Sequence, residues 1–479
     1  MTFSTTTKLL PHQKAAVAKL LPTRVGALFM DMGTGKSRTL LELAYLRREK
    51  WDRLFWFTPC ALRDNVREQI LLHTTLTAED VAVWEQRALT RGIDERCWVH
   101  VVGIETMSSS DRAVLAYNRL VTENSFVAVD ESSYIKSPRA KRSQRITHMS
   151  ARARYRTVLT GTPFTQGAVD LFSQMQFLSP KILGYRSFYS FARNHLEFEE
   201  RRDAYGNSRR TGRIVRTHNE EYLAARIAPY VYQVRKDECL DLPGKLYEER
   251  VTSMTHSQGE LYEQAKEEVL QLDYDDWSSI AIFHLFTSLQ TIVCGFWRRP
   301  DGRVIEVDHN RIELLLATLA EIPDNERVII WAKYQYALNQ ICEALKQEYG
   351  ADQVCPYHGR QSDTERNAQL RRWRSGARFL VATQGVGGHG LTLTESSYVI
   401  FYADSFKYAE RIQAEDRCHR IGQTRRPVYI SLRCSPSIDD RISSALYRKG
   451  DALQEFQKQV DEYRVHRMKK KAIELVNSL

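Results

Sequence analysis

The sequence predicts an α/β protein with two parallel-sheet lobes and helical insertions between and after them. Three observations carry that prediction. Short runs that are apolar throughout alternate with amphipathic helical patterns from residue 26 to 160. The same alternation returns after Arg327. One strand-to-helix turn, LFMDMGTGKSRTLL from Leu28 to Leu41, has the residue order of a phosphate-binding loop. Strands buried on both faces and separated by helices belong to parallel sheets.

The first lobe, residues 1–240, has predicted strands at Gly26–Asp31, Leu54–Thr58, Trp98–Val102, Phe126–Asp130 and Arg156–Thr160. Helical patterns such as Arg38–Arg48 and Ala61–Leu71 lie between them. Parallel sheets bind ligands at the carboxyl ends of their strands. Lys36, Thr58, Asp130 and Gly161 all fall there. From about 180 to 225 the alternation gives way to a polar, arginine-rich insertion containing Arg201, Arg202, Arg209, Arg210, Arg213 and Arg216. A helical bridging region is expected over 241–309, its aromatics (Tyr262, Trp277, Phe283, Phe286) spaced as core residues. The second lobe, 310–450, has predicted strands at Val328–Trp331, Phe379–Thr383, Tyr398–Ala403 and Val428–Leu432. The tail, 451–479, reads as one amphipathic helix with a basic cluster at Arg464, Arg467 and Lys469–Lys471.

Composition narrows the function classes. The 479 residues carry a net charge of +10, which suits a polyanionic partner. No apolar run is long enough to span a bilayer, and MTFSTTTKLLPHQ is not a secretion signal, so a cytoplasmic protein is expected. The eight cysteines are scattered singly with no C-x-x-C pair, which argues against a zinc site or a disulfide framework.

The chemistry begins at the glycine turn. Gly33, Thr34 and Gly35 let backbone N–H groups curl around phosphate oxygens. Lys36 supplies a positive charge, and the Ser37 hydroxyl is placed to coordinate Mg²⁺. Met30 stands where the strict G-x-x-x-x-G-K-S pattern has glycine. In VAVDESSYIKSP an apolar strand ends in Asp130, a metal-holding carboxylate, and Glu131, which can deprotonate the attacking water. VLTGTPFTQGAVDLF places Gly161 and Thr162 after another strand. Further on, Gln413, Arg417 and Arg420 fall at i, i+4 and i+7 of a predicted helix, on one face, where two guanidiniums could serve as arginine fingers.

These motifs, in this order, resemble the Swi/Snf-type branch of helicase superfamily two, the ATP-driven translocases of double-stranded DNA. The likeness runs from LLPHQKAAVAKL through DMGTGKS, TPCALRDNVREQI, DESSYIKSP, LTGTP and VRKDECLDLPGKLYEERV to VIIWAKY and QAEDRCHRIGQ. It implies two RecA-like lobes around an ATP cleft, in a bare motor like those of phage and bacterial members. It further implies that Gln13, Gly33, Thr34, Gly35, Lys36, Ser37, Arg38, Gly388 and Gln413 hold ATP, with Mg²⁺ on Ser37 and Asp130. Lys36, Asp130, Glu131, Arg417 and Arg420 would be catalytic. Arg63, Gly161, Thr162 and Thr383 would touch DNA. Ser132 and Ser133 depart from the family's alanine and histidine, and Thr165–Gly167 replace its asparagine. The implied function is a monomeric, DNA-dependent ATPase moving on duplex DNA, partnered by a replication, recombination or transcription complex. The rival readings are a strand-separating or fork-remodelling helicase, an RNA-stimulated helicase, which the H-R-I-G-Q element disfavours, and an inactive nucleic-acid-binding scaffold.

Overall fold

The computed structural model describes residues 3–161, 168–202, 208–299, 301–387, 391–466 and 468–479. It divides into two compact units, Met1–Asp241 and Leu242–Leu479.

The first unit is built on a seven-stranded, wholly parallel sheet. Its strands are β1 (Val25–Met30), β2 (Arg53–Thr58), β3 (Val81–Val83), β4 (Val99–Gly103), β5 (Ser125–Val129), β6 (Tyr155–Thr160) and β9 (Val231–Val234). The spatial order is β3-β4-β2-β5-β6-β1-β9. Both faces are covered. Ala27 and Phe29 of β1 pack with Phe55, Phe57 and Tyr117 on one side, while Leu28 and Met30 pack with Leu54, Trp56 and Phe126 on the other. The alternating sides follow from the two-residue period of a strand, and burial on both explains why each strand reads as a continuous apolar run. The arginine-rich stretch, expected to be an irregular insertion, contains an antiparallel pair, β7 (Leu196–Arg202) and β8 (Ser208–Thr217). Leu196 enters the core of the first unit, with Phe198 and Ile214 packed against it.

The second unit holds a six-stranded parallel sheet. It comprises β10 (Leu246–Thr252), β13 (Val328–Ala332), β14 (Val354–Tyr357), β15 (Phe379–Thr383), β16 (Tyr398–Phe401) and β17 (Val428–Cys434), in the order β10-β17-β16-β13-β15-β14. A small hairpin joins β11 (Phe296–Arg298) to β12 (Val304–Glu306). The 241–309 stretch is therefore not purely helical. Its first strand pairs with β17 over seven residues, Leu246↔Val428 to Thr252↔Cys434. Its two long helices, His256–Leu270 and Ser279–Val293, bury Tyr262, Trp277 and Phe286 as expected, whereas Phe283 is 47% exposed.

The tail forms two helices, Ala452–Val465 and Lys469–Asn477, instead of one. The break lets Phe456 and Val460 of the first, and Ala472 and Val476 of the second, enter the cluster around Trp277 and Phe286. A straight helix rising about 1.5 Å per residue would have carried the second set away from that cluster.

A buried ion pair ties this unit together. The Arg311 guanidinium donates to Asp439 and to the Tyr402 carbonyl, and Arg311 is 1% exposed. Removing one partner leaves an uncompensated charge out of water. Asp439→Ala should cost about 3–5 kcal/mol, read as an earlier unfolding step of the second unit in urea. An unshifted transition would mean that water reaches the arginine.

Candidate functional site

The glycine turn is held from outside by α1 (Pro11–Leu20). Gly33 and Gly35 have φ of 79° and 86°, a region that L side chains avoid. Between them the Thr34 carbonyl accepts from His12 Nε2 at 2.8 Å and from Gln13 Nε2 at 3.1 Å. Gln13 also accepts the Leu10 N–H through Oε1 at 2.9 Å, which fixes its amide orientation. A Cβ on Gly35 would sit 2.1 Å from Gln13 Nε2. The loop thus has one shape, set by two glycines and one carbonyl clamp.

Lys36 opens α2 (Lys36–Leu46) and donates from Nζ to the carbonyls of Met30 at 2.9 Å and Asp31 at 3.3 Å. Ser37 follows it in the first turn, half-buried. Arg38, expected at the nucleotide, instead turns to Thr7 and Glu42, with Nε 2.8 Å from Thr7 Oγ1 and an ion pair to Glu42 at 2.8 Å. That pairing ties the residues before α1 to α2.

Asp130 and Glu131 leave the end of β5. The Asp130 N–H still bonds to the Phe57 carbonyl at 2.7 Å. Its carboxyl accepts from the Glu131 N–H at 2.9 Å. Burial pushes the Asp130 pKa up to about 7, and the Glu131 charge adds to this, while the Lys36 ammonium pulls it down. The lysine charge is therefore felt at the aspartate across the neighbouring strand ends. Glu131 has φ 47° and ψ 54°, a left-handed backbone that costs a non-glycine residue roughly 1–3 kcal/mol. Ser132, where the family has alanine, is buried and donates to Gln174 Oε1 at 2.6 Å.

Gly161 was expected at nucleic acid. It lies instead against the phosphate loop, where a Cβ would meet Met32 Cγ and Met32 N at 3.3 Å. Arg63 heads α3 (Arg63–His73), with its guanidinium on the carbonyls of Cys60 at 3.1 Å and Trp84 at 2.5 Å. Thr383 ends β15, half-buried. Thr162, Gly388 and Arg467 lie outside the described residues, as do the side chains of residues 199–213.

In the second unit the helix Tyr408–Glu415 stops before the two arginines, so Gln413, Arg417 and Arg420 do not share a helical face. The Arg417 carbonyl accepts the Leu393 N–H at 2.9 Å and is taken from the helical ladder. Tight turns follow, with the Cys418 and His419 N–H groups both on the Glu415 carbonyl at 3.1 Å. The two guanidiniums still converge: Arg417 Nη1 and Arg420 Nη1 lie 3.5 and 3.2 Å from the Leu391 carbonyl. Burial, then the neighbouring Arg417, brings the Arg420 pKa down to about 10.

Residues that the motif pattern did not single out fix this turn. Glu415, 2% exposed, accepts from Lys245 Nζ at 2.7 Å, Tyr247 Oη at 2.8 Å and Arg411 Nε at 2.9 Å. Burial opposes its charge, but Lys245 and Arg411 outweigh it and hold the carboxyl below the usual range. Arg411 stacks 3.5 Å above the Phe401 ring, and His419 Nε2 meets the Pro243 carbonyl at 3.0 Å. Lys245, Tyr247 and Pro243 come from β10 and the turn before it.

Comparison with known proteins bears on the same residues. Residues 12–295 match the SNF2-related domain, and 310–422 match the Helicase conserved C-terminal domain. The chain belongs to the SNF2-related family. Among its SNF2-related relatives is human "DNA annealing helicase and endonuclease ZRANB3", 24% identical over 87% of this chain and 37% of that protein. A Caenorhabditis elegans SWI/SNF-related regulator of chromatin, subfamily A-like protein 1 homolog, is 24% identical over 95% of this chain and 63% of its own length. The Bacillus subtilis "Putative ATP-dependent helicase/translocase YwqA" is 26% identical over 67% of this chain and 34% of its own. The chain thus spans from about a third to under two thirds of these relatives. The solved Sulfolobus solfataricus SWI2/SNF2 ATPase core with dsDNA aligns over 98% of this chain and 95% of its own, at 20% identity and a TM-score of 0.41.

The raised Asp130 pKa has a sign that can be measured. Folded Asp130 keeps its proton where the unfolded chain has lost it, so its contribution to stability falls as pH rises from about 4 to 7. Asp130→Asn removes that loss and keeps an acceptor for the Glu131 N–H. Its thermal midpoint should exceed the parent's at pH 8, by a margin worth roughly 1–3 kcal/mol, and the gap should close at pH 4. A gap independent of pH would show that Asp130 titrates normally.

Proposed function

We propose that this SNF2-related protein is a DNA-dependent ATPase that moves along duplex DNA and remodels DNA or protein–DNA complexes. The observation that carries the reading is the convergence, in one unit, of the glycine turn, the Lys36 charge and the buried Asp130 with half-buried Glu131 beside it. A phosphate chain fits the cradle because both glycines leave it open and α2 directs its N-terminus there.

In this reading Lys36 exchanges its carbonyl partners for the outer phosphates, and Gln13 stays fixed beside the loop. Ser37 and Asp130 are the residues that would hold a Mg²⁺ ion, which would supply positive charge against the phosphates. A single carboxylate and a hydroxyl suit a metal that arrives with phosphate ligands. Glu131 accepts the proton of the water that attacks the γ-phosphorus, the bond to the β-phosphate oxygen breaks, and ADP and phosphate leave. Arg417 and Arg420 are assigned the arginine-finger role, stabilising charge in that transition state. Gly161, packed on the loop, is reassigned from DNA contact to sensing the nucleotide. Arg63 and Thr383 keep the proposed DNA contacts. DNA as the substrate is supported by the human relative, a DNA annealing helicase, and the duplex form is part of the proposal. A monomer working in the cytoplasm with a replication, recombination or transcription complex completes the reading; eight free thiols suit a reducing compartment.

ATP hydrolysis should be stimulated strongly by duplex DNA, weakly by single strands and least by RNA. Stimulation by single strands alone would favour the strand-separating reading, and a labelled-strand displacement assay would then report unwinding. Glu131→Gln should retain ATP binding and lose about 10²–10⁴-fold in turnover. Arg420→Ala should lose about 10³-fold or more with nucleotide affinity nearly unchanged. Normal turnover in either variant removes the role given to that residue. No turnover of the parent on any nucleic acid would leave the scaffold reading.

A further inference from the structure

Opposite the phosphate loop, at the amino-terminal end of the first sheet, lies a cavity of about 970 Å³. It is lined by the turns that lead into β1, β5, β6 and β9: Thr23–Arg24, Glu123–Asn124, Arg152–Arg154 and Tyr230. Arg156 of β6 and Lys181 complete it. A strand rises about 3.3 Å per residue, so the six residues of β1 put this cavity roughly 20 Å from Lys36. It is not part of the nucleotide cradle.

Its charge is lopsided. Arg24, Arg152, Arg154, Arg156 and Lys181 face one carboxylate, Glu123. The bonds that hold these cations run to neutral acceptors. Arg152 Nη2 donates to the Asn118 carbonyl at 2.6 Å and to Asn118 Oδ1 at 2.5 Å, and Arg156 Nη1 to the Ala151 carbonyl at 3.2 Å. Arg154 rests near the Tyr155 ring, 5.9 Å from its centroid. Elsewhere on this unit exposed arginines do find carboxylates, as Arg96 does with Asp94 and Arg119 with Glu95. Like charges gathered in a concavity focus their field and draw in an anion.

We propose that this cavity is a second anion site, which binds a small oligophosphate. The volume is that of a small-molecule pocket, and phosphate oxygens suit a rim of guanidiniums. A duplex is too wide to enter it, although a backbone phosphate could rest on the rim. The shared chemistry is a run of phosphate groups, and the size of the cavity favours the free, small form. The proposal does not depend on the ATPase reading.

The test is a calorimetric titration of inorganic tripolyphosphate into the full chain carrying Lys36→Ala, which disables the phosphate loop. Saturable binding should persist. Adding Arg24→Ala and Arg154→Ala, both exposed and outside the core, should weaken it by at least about 10-fold. An Arg87→Ala, Arg91→Ala pair on the exposed helix Gln86–Arg91 controls for lost net charge and should change it little. Binding that vanishes with Lys36→Ala alone, or that both pairs weaken equally, overturns the site. So does an Arg24/Arg154 pair that lowers duplex-DNA affinity and leaves tripolyphosphate unaffected, which would make the rim a DNA contact.

Discussion

Every strand of the two large sheets runs in the same direction as its neighbours, and the rest of the structure depends on that constraint. Parallel strands send all their carboxyl ends to one side, so loops that carry chemistry collect there without long connections. In the first unit this places the glycine turn after β1, the carboxylates after β5 and Gly161 after β6, on three adjacent strands. Packing on both faces then holds those ends in register. The apolar interior of the sheet is what allows a buried aspartate and a lysine charge to act on one another.

Two clamps of different chemistry refine that arrangement. In the first unit hydrogen bonds from His12 and Gln13 to a single carbonyl shape the loop. In the second an ionic one, Glu415 among Lys245, Tyr247 and Arg411, sets the turn that carries Arg417 and Arg420. The ionic one is shielded by burial, where screening is weak.

The sequence made the interior of each sheet legible and left its rims obscure. All nine interior strands of the two sheets are apolar runs that periodicity finds, because both faces are buried. The four that were missed, β3, β9, β10 and β14, are the four edges. β10 is LYEERVT, exposed at every second residue, and β14 contains Pro356, which an edge tolerates because one side needs no donor. The site divided in a similar way. Lys36, Asp130 and Glu131 stand out because their local motif also carries the chemistry proposed for them. The jobs of Arg38, Gly161, His12 and Lys245 depend on contacts with residues far off in the chain, which spacing does not reveal. The predicted arginine face fails because the helix stops at Glu415, and beyond it the Arg417 carbonyl is held by Leu393, distant in the chain.

The left-handed backbone of Glu131 bears on how such a chain would drift. Glycine occupies that conformation without penalty, so replacing the glutamate by glycine would relieve strain at the price of a carboxylate. Selection for a durable fold alone would favour that exchange. A lineage released from turnover would then grow more robust as it lost that carboxylate. The proposed role of Glu131 is what would hold a carboxylate there against that pressure.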